Sequence, residues 1–326
     1  MTFDNGLSRR EFVALGAASM LATAHAQSDW PKAQPIKFVV PFTPGSGTDT
    51  VGRVVGERLA SSLGTPVVVD NRPGAGGTLG AAIVAKSAPD GYTLLVHSAG
   101  HLVNASIYPH LSYDTVRDFA GVTPLASLPN VLVTQPGKFT DVKDLVTKVS
   151  ANPGKFNYAS AGNGSATHMN AEVFRHAAGL QAQHVPYKGT PEALTETMTG
   201  RIDWFFAPMT SALPLIRDGR LKALAVGTER RSEALPQVPT TVEAGVPGSE
   251  YQFWVGLFAP AKMSRANVER LQAEVAKLMG TPEIKARLDN LGAEPMTMTP
   301  AEFDRFIAAE KAKAEQVVKA AGIRVE

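Results

Sequence analysis

The sequence predicts an α/β fold made of two α/β series followed by a helical tail. Short apolar, β-branched runs alternate with stretches of helical periodicity, which indicates right-handed βαβ crossovers and a mostly parallel sheet. Glycine-rich turns follow several of these runs, as expected at strand-to-helix corners. With 326 residues, 44% of them hydrophobic, the chain can bury a substantial core as one large domain or two smaller ones.

The first series runs from residue 36 to residue 98. Its apolar runs predict strands at 36–41, 66–70 and 92–98, and its helical spacing predicts helices at 50–63 and 78–87. Thr48 or Asp49 is expected to cap the first helix, because short polar side chains accept hydrogen bonds from first-turn N–H groups. Two further strands are expected on either side of Pro129 and Asn130, between residues 119 and 136.

The second series and the tail complete the predicted elements. Strands are expected at 155–160, 182–185, 201–206, 221–226 and 251–259, and helices at 140–150, 167–178, 190–199 and 211–217. The segment 235–248 is rich in proline and glycine, and should be irregular. Tail helices are expected at 267–279, 283–291 and 300–321, the last with Thr299 as its cap and Pro300 in its first turn.

The composition excludes several classes of protein. A formal net charge of +2 with scattered Lys and Arg gives no basic stripe, so no nucleic-acid partner is expected. The absence of Cys excludes disulfides, thiolate zinc sites and a cysteine nucleophile. At the N-terminus, Arg9-Arg10, an apolar run over 12–24 and the small-x-small site at 24–26 predict a cleaved twin-arginine signal peptide over residues 1–26. No later segment is apolar enough to span a membrane, so an exported, periplasmic protein is expected.

Two glycine-rich corners dominate the functional reading of the sequence. Residues 41–50 (PFTPGSGTDT) and 158–168 (YASAGNGSATH) each follow a predicted strand and run into a predicted helix. Free N–H groups and the helix dipole make such N-termini favourable for anions, and ligands of open α/β sheets bind beyond the carboxyl ends of strands. The two corners together predict a trap for one small carboxylate.

Other sites are weaker alternatives. Gly74, Gly76 and Gly80 have the spacing GxGxxxG rather than the dinucleotide-binding GxGxxG. His168, Glu172 and His176 fall on one helical face, but no HExxH motif accompanies them, so no metal and no cofactor are expected. A catalytic set could be drawn from Ser160 or Ser165 with His168 and Asp203, although nothing in the sequence orients a base against either hydroxyl.

Several separated blocks carry a specific resemblance. PFTPGSGTD, VVVDNRPGAGGTLGA, APDGYTLL, YASAGNGSATHM, HVPYKGTPEAL, LPQVPTTVEAG and WVGLFAP occur in this order along residues 41–326. The chain thereby resembles the Bug family, the extracytoplasmic substrate-binding proteins of tripartite tricarboxylate transporters. The resemblance implies a type II periplasmic binding protein fold, with two doubly wound α/β domains joined by two crossover strands. It implies domain I over 33–125 plus 251–326 and domain II over 126–250.

The resemblance also implies a ligand site. The residues that match the ligand-contacting segments of the family are Phe42, Thr43, Pro44, Gly45, Ser46, Gly47, Thr48 and Asp49, then Ser98 and Ala99, then Ser160, Ala161, Gly162, Asn163, Gly164, Ser165 and His168, then Tyr187, Lys188, Gly189 and Thr190, and finally Asp203. In amino-acid-binding relatives the position of Asp203 could meet an ammonium group. Ser46 departs from the family pattern, because many relatives have glycine there.

The implied function is capture of a small di- or tricarboxylic or aromatic acid by a monomer that delivers it to the membrane subunits of the transporter. Backbone N–H groups of the two corners, with the hydroxyls of Ser46, Thr48 and Ser165, are expected to hold one carboxylate without an arginine. Two alternatives remain open at this point. One is an enzyme of the same architecture, a hydrolase or decarboxylase using Ser165 and His168, and the other is a sensory receptor that presents its ligand to a signalling partner.

Overall fold

The computed structural model describes residues 30–323. Its strands, in chain order, are β1 (Ile36–Val40), β2 (Val67–Asn71), β3 (Thr93–Ser98), β4 (Phe119–Ser127), β5 (Asn130–Thr134), β6 (Asn157–Ser160), β7 (Gln183–Pro186), β8 (Trp204–Pro208), β9 (Lys222–Val226), β10 (Trp254–Pro260) and β11 (Glu294–Pro295). Its α-helices are α1 (Gly47–Leu63), α2 (Thr78–Ala85), α3 (Gly100–Ile107), α4 (Val142–Ser150), α5 (Ala166–Ala177), α6 (Thr190–Met198), α7 (Met209–Arg217), α8 (Arg265–Met279), α9 (Pro282–Asn290) and α10 (Pro300–Ala321). None of the described helices is both long enough and apolar enough to cross a membrane.

The strands form two separate sheets. One has six strands in the order β11-β4-β10-β3-β1-β2, and the other has five in the order β7-β6-β8-β5-β9. We call the first sheet with α1–α3 and α8–α10 lobe 1, and the second sheet with α4–α7 lobe 2. Lobe 1 therefore draws its strands from two distant parts of the chain, 36–127 and 254–295.

Both sheets are mixed, which corrects the expectation of a mostly parallel sheet. The pairs β1–β2, β1–β3, β6–β7 and β6–β8 are parallel, as the βαβ alternation predicts. However, β10 runs antiparallel to both β3 and β4, and β5 runs antiparallel to both β8 and β9. Parallel neighbours within a sheet are joined by a crossover connection, usually a helix. The chain enters β5 and β10 directly from the other lobe without such a helix, so these two strands can run antiparallel to their neighbours.

The chain passes between the lobes twice, and the two passages lie side by side. The first is Leu128–Pro129, between β4 and β5, and the second is 227–253, between β9 and β10. The N–H of Leu128 donates to the carbonyl of Phe253 at 2.8 Å, and the N–H of Gly227 donates to the carbonyl of Asn130 at 2.8 Å. The chain therefore crosses from one sheet to the other at 128–129 and returns at 227–253. The domain boundaries expected at 125/126 and 250/251 stay a prediction.

Each lobe has its own core. In lobe 1, Phe38, Val96 and Leu257 from adjacent strands are fully buried in one cluster. In lobe 2, all five residues of β8 are buried, with Phe205 packed on one face and Phe206 on the other. Helices cover both faces of such a strand, and each buried phenylalanine contributes about 1.5–3 kcal/mol to folding.

Most predicted elements are present with shifted ends, but a few predictions were wrong. Ser46, not Thr48 or Asp49, is the N-cap of α1, so the helix begins earlier than expected. Helix α3 and the short strand β11 were not predicted. Six of the eight residues of α3 are buried, so it lacks the polar face from which a helical period is detected. The capping box at Thr299 and Glu302 confirms the expected start of the last helix.

Candidate ligand-binding site

The first glycine-rich corner joins β1 to α1 and faces lobe 2. Ser46 occupies the N-cap position, yet its side chain makes no capping hydrogen bond within α1. Its Oγ instead accepts a hydrogen bond at 3.2 Å from the N–H of Thr190, the first residue of α6 in lobe 2. The hydroxyl that replaces a glycine of the family pattern therefore links the two lobes.

Asp49 holds the first corner in shape. Its carboxylate accepts hydrogen bonds from the N–H of Gly45 at 2.9 Å and from Asn71 Nδ2 at 2.8 Å, and it pairs with Arg53 at 3.0 Å. Gly45 has φ of +84°, a left-handed conformation that favours glycine. The carboxylate of Asp49 is thus engaged within lobe 1, so this predicted site residue supports the corner.

The second corner, between β6 and α5, is fixed by two histidines. His168 Nδ1 accepts from the N–H of Gly164 at 3.1 Å, while Ser165 Oγ caps α5 by accepting from the N–H of His168 at 3.2 Å. Ser160 Oγ accepts from the N–H of Gly162 at 3.0 Å and lies 2.6 Å from His184 Nε2. Two of the amides expected to meet the ligand are therefore used to shape the loop.

The second corner carries no positive side chain. The rings of His168 and His184 stack at 4.0 Å, and burial lowers the pKa of His168 to about 4 and that of His184 to about 3. Both imidazoles are neutral at neutral pH. An anion here must be held by N–H groups and hydroxyls.

The glutamate on the same helix serves a structural pair. Glu172 Oε2 lies 2.7 Å from Arg175 Nη2, and Glu172 also hydrogen-bonds the hydroxyl of Tyr158. Burial would raise the pKa of the Glu172 carboxyl, but the hydrogen bonds from Arg175 and Tyr158 outweigh it and hold that pKa below its usual range. Within residues 30–323, no group of three or more His, Asp or Glu side chains could hold a metal.

The amides that remain free belong to the first turns of α1 and α5. Among the described residues, no group accepts from the N–H groups of Gly47 and Thr48 in α1, or from those of Ala166 and Thr167 in α5. First-turn N–H groups have no partner within their own helix, so they need an external acceptor. Two helix N-termini from opposite lobes therefore offer donors to one space.

That space is a small cavity between the lobes, which we call the inner cavity. Its volume is ≈ 10 Å³, about the room needed for one water molecule. Its lining residues come from both lobes and are Phe42, Ser46, Gly47, Thr48, Ser98, Ala161, Ser165, Ala166, Thr167, Thr190, Pro208 and Phe253. The lobes are thus closed onto each other around the free donors.

A larger cavity, the outer cavity, lies between the same lobes. Its volume is ≈ 500 Å³, and it is lined by Gly74, Ala75, Gly76, Tyr108, Ala161, Gly162, Asn163, Pro186, Tyr187, Lys188 and Glu192. Ala161 lines both cavities. The free helix amides border the inner cavity, so it, and not the larger space, is the candidate for capturing an anion.

Direct hydrogen bonds hold the lobes together around these cavities. Thr43 Oγ1 donates to Glu192 Oε2 at 3.0 Å, and Ser211 Oγ donates to the carbonyl of Gly45 at 3.0 Å. The hydroxyl of Tyr108 donates to the carbonyl of Asn163 at 3.1 Å. At Gly189, an added Cβ would lie only 1.9 Å from Thr43 Oγ1, so this approach requires glycine.

The structure brings most of the predicted site residues to the cleft, in different roles. Eight of them line the inner cavity, namely Phe42, Ser46, Gly47, Thr48, Ser98, Ala161, Ser165 and Thr190. Gly162, Asn163, Tyr187 and Lys188 line the outer cavity, which Ala161 also borders. Ser160, Gly164 and His168 lie behind the second corner, and Ala99 is buried in the core of lobe 1 with its N–H donating to the carbonyl of Trp254.

Asp203 does not join the other predicted site residues. It precedes β8, and the parallel pairing of Tyr158 with Trp204 aligns it with the amino end of β6, whereas the corner follows the carboxyl end. Its carboxylate accepts from the N–H of Asn157 at 2.6 Å and pairs with Lys138. The expected role of Asp203 toward a ligand ammonium is therefore wrong.

The same position removes Asp203 from the catalytic set weighed from the sequence. In the described chain, no hydrogen bond joins the ring of His168 to a serine hydroxyl, because Ser165 Oγ meets only the backbone N–H of His168 and the hydroxyl of Thr167. In the close Ser160–His184 pair the serine is buried and the histidine is half-buried, and within residues 30–323 no carboxylate hydrogen-bonds the imidazole. The geometry supplies no oriented acid, base and nucleophile.

The predicted site residues include none from helix α7 or from Pro208 before it. Pro208 lines the inner cavity, Ser211 Oγ donates to the carbonyl of Gly45, and the buried hydroxyl of Thr210 has no hydrogen-bond partner among the described residues. A Cβ added at Gly47 would lie 3.1 Å from Thr210 Oγ1, which puts this hydroxyl beside the first turn of α1. The segment 207–210 (APMT) has no glycine-rich signature, and apart from the family resemblance the signal for it is its position after the strand β8.

Two α/β lobes joined by two crossovers, with helix N-termini from both lobes around one cavity, define a two-lobed solute-binding protein of the type II periplasmic class. Residues 51–323 match the profile of the tripartite tricarboxylate transporter family receptor, and the chain belongs to this family. The predicted family and fold class are thereby confirmed. The family is one of substrate-binding receptors, so the enzyme alternative is not supported.

Curated relatives match over nearly their whole length. A UPF0065 protein from the tcbD-tcbE intergenic region of Pseudomonas sp. strain P51 is 38% identical over 287 residues, which cover 87% of this chain and 85% of that protein. Protein BugT of Bordetella pertussis is 34% identical over 306 residues, which cover 93% of this chain and 94% of that protein.

Solved structures agree with the fold. Rpa4515 of R. palustris with adipate is 35% identical, with a TM-score of 0.88 over 91% of this chain and 100% of that one. MatC from Rhodopseudomonas palustris with bound malate is 32% identical, with a TM-score of 0.84 over 88% of this chain and 99% of that one. The periplasmic binding protein BugD is 30% identical, with a TM-score of 0.86 over 91% and 100%.

Proposed function

We propose that this protein captures a small organic acid between its two lobes by binding one carboxylate in the inner cavity. The observation that carries the proposal is the convergence of free first-turn N–H groups from α1 and α5 on one closed space. The related proteins solved with adipate and malate support a carboxylate as the ligand. The absence of a cation from the lining of the inner cavity makes helix N–H groups its main source of positive potential.

The donors available are sufficient for useful affinity. A hydrogen bond to a charged acceptor contributes about 1.5–3 kcal/mol, so four such bonds contribute about 6–12 kcal/mol, a range that includes the roughly 8 kcal/mol of a micromolar complex. Amides of Gly47 and Thr48 in lobe 1 and of Ala166 and Thr167 in lobe 2 would supply them. The inner cavity has room for about one water molecule, so the lobes must part slightly to admit a carboxylate. Since both lobes contribute donors, an arrangement closed around the acid binds it better than an open one, and binding favours closure.

The direct test is calorimetric titration of the purified protein with aliphatic diacids, tricarboxylic acids and aromatic acids. Thr48→Val keeps the β-branched shape and removes a hydroxyl that lines the inner cavity, so we expect about 10- to 100-fold weaker binding. Thr50→Val, in the same helix turn but outside the cavity lining, is the matched control. Failure of every acid to bind, or equal affinities for the two variants, would contradict the proposal.

Export and delivery complete the proposed role. We propose that residues 1–26 direct the chain through the twin-arginine pathway to the periplasm, and that the loaded protein docks to the two membrane subunits of a tripartite transporter. Substitution of Arg9 and Arg10 by lysine should leave the protein in the cytoplasm on cell fractionation. Vesicles that hold the membrane subunits should take up labelled acid only when the purified protein is added.

A further inference from the structure

A pair of asparagine side chains lies one helical turn below the free amides of α5. Asn170 lies one turn after Ala166 in α5, and Asn130 is the first residue of β5. Both residues are fully buried, and Asn130 Nδ2 donates to Asn170 Oδ1 at 3.1 Å. Neither residue lines the inner or the outer cavity, so any effect of this pair on ligand binding must be indirect.

The pair lies where the two passages between the lobes meet. Asn130 directly follows the first passage, and Gly227 begins the second. The N–H of Gly227 donates to the carbonyl of Asn130 at 2.8 Å, and the carbonyl of Gly227 accepts from the N–H of Tyr251 at 2.7 Å. Tyr251 lies near the end of the second passage and packs against the core of lobe 1. We call Asn130, Gly227 and Tyr251 the hinge junction.

The side chain of Asn170 is in close contact with this junction. A Cβ added at Gly227 would lie 2.5 Å from Asn170 Oδ1 and 2.9 Å from Asn170 Nδ2. The backbone of Gly227 does not have a positive φ, so alanine there would be opposed by this contact and not by its own conformation. The amide of Asn170 thus lies directly against the glycine backbone, and the contact requires the small residue.

The asparagine pair costs stability that an apolar pair would not. Asn130 Oδ1 and Asn170 Nδ2 are buried and have no hydrogen-bond partner within residues 30–323. A buried polar atom without a partner destabilises the fold, and apolar side chains of similar shape would avoid that cost. What the single hydrogen bond provides is geometry, because it has a preferred length and direction whereas apolar contacts tolerate sliding.

We propose that Asn170 is a positioning residue that holds α5 on the hinge junction, so that the free N–H groups of Ala166 and Thr167 converge with those of α1. This inference rests on the proposed binding of a carboxylate in the inner cavity. One helical turn, a rise of about 5.4 Å, separates Asn170 from these donors, so a shift of the helix at Asn170 is passed on to them. Lengthening a donor–acceptor distance by about 0.5 Å takes it outside the normal hydrogen-bond range.

The test is a double-mutant cycle on the mature chain with Asn170→Ala, Gly227→Ala and the two combined. Each variant is titrated calorimetrically with adipate, malate, citrate and benzoate, and its unfolding free energy is measured with denaturant. Each single change should weaken every acid that binds the parent about five- to thirtyfold. In the double variant the new methyl group at position 227 occupies space that the amide has left. Its loss should therefore be well below the product of the two single losses.

Two matched controls change similar groups away from the junction. Gly280→Ala adds a Cβ that would meet the carbonyl oxygens of Lys277 and Ala276 at an ordinary 3.6 and 3.7 Å. Thr197→Ala removes a fully buried hydroxyl of α6 that donates to the carbonyl of Ala193. The second control lowers stability without touching the junction, so acid affinity in both controls should stay within twofold of the parent.

The outcomes separate this proposal from the one on which it rests. Single variants that lose stability but bind acids as the controls do overturn the positioning role and leave carboxylate capture intact. A double variant whose loss equals the product of the single losses does the same. The absence of any binding to the parent overturns both proposals. Gly227→Ala keeps the amide, so it decides the question by itself if Asn170→Ala does not fold.

Discussion

Helix α3 gives a way to test closure without altering any group that meets the ligand. Gly100, its first residue, lies in lobe 1 directly against the second corner of lobe 2. A Cβ added at Gly100 would lie 2.7 Å from the carbonyl oxygen of Gly164 and 3.2 Å from the Cα of Ser165. Both neighbours are backbone atoms, so Gly100→Ala should hold the lobes apart by a few tenths of an ångström or more.

The expected magnitude follows from the cost of overpacking. Inserting a methyl group into a packed contact typically costs about 1–3 kcal/mol, which corresponds to roughly 5- to 150-fold weaker binding if the closed form alone holds the acid tightly. The same change improves the intrinsic helix propensity by up to about 1 kcal/mol. This gain is smaller than the overpacking cost, so weaker acid binding is the result that reports on closure.

The assay combines calorimetry with the acid that binds the parent best and small-angle scattering with and without that acid. The parent should contract on binding, whereas Gly100→Ala should contract less and bind more weakly. Gly52→Ala is the matched control, because its added Cβ would meet only Val40 and Val96 at an ordinary 3.5 Å. If Gly100→Ala binds the acid as tightly as Gly52→Ala, then Gly100 does not contact the backbone of Gly164 and Ser165 in the ligand-bound protein.

Three further predictions concern the supports of the site. Because folded His168 has its pKa lowered to about 4 from 6.5, stability present above pH 6.5 should be lost as pH falls toward 4, by about 3 kcal/mol. Denaturant titrations from pH 4.5 to 7.5 should show a smaller slope in His168→Gln but not in His176→Gln, which changes an exposed residue of the same helix. Asp203→Asn should lower the unfolding free energy by about 1–3 kcal/mol and leave acid affinity within twofold, measured by denaturation and calorimetry. Asp49→Asn should weaken acid binding about tenfold in calorimetry, because the new side chain has one carbonyl oxygen and cannot accept from both the N–H of Gly45 and Asn71 Nδ2. Unchanged affinity would refute the conclusion that Asp49 holds the first corner in its binding shape.

Local patterns sufficed to locate both corners. Glycine and small hydroxyl residues between an apolar run and a helical stretch indicate a strand-to-helix turn, and residues 41–50 and 158–168 form such turns. The sequence could not show which backbone N–H groups of the corners are free for a ligand. The N–H groups of Gly162 and Gly164 are used by side chains, Ser160 and His168, whose orientation depends on packing. Ser46 and its partner Thr190 are 144 residues apart and meet only when the lobes close.

The family resemblance assigned Asp203 to the site, and the strand boundary that would have excluded it was predicted wrongly. The apolar pattern predicted a strand over 201–206, whereas β8 spans 204–208. Alternating hydrophobic residues predict that a buried strand exists more reliably than they predict its first and last residues. Ile202, for example, is buried but lies outside β8. A shift of three residues at the start leaves Asp203 outside the amino end of β8, on the opposite side from the cleft.

The hydrogen bonds between the lobes separate how tightly the protein binds from what it selects. The contacts of Thr43 with Glu192, Ser211 with Gly45 and Tyr108 with Asn163 involve no ligand atom. They set the fraction of molecules already closed, and the apparent dissociation constant of every acid is divided by that same fraction. Substitutions of Thr43 or Ser211, which line neither cavity, can therefore change the affinity for every acid by a common factor, while the ratio of affinities between two acids stays the same.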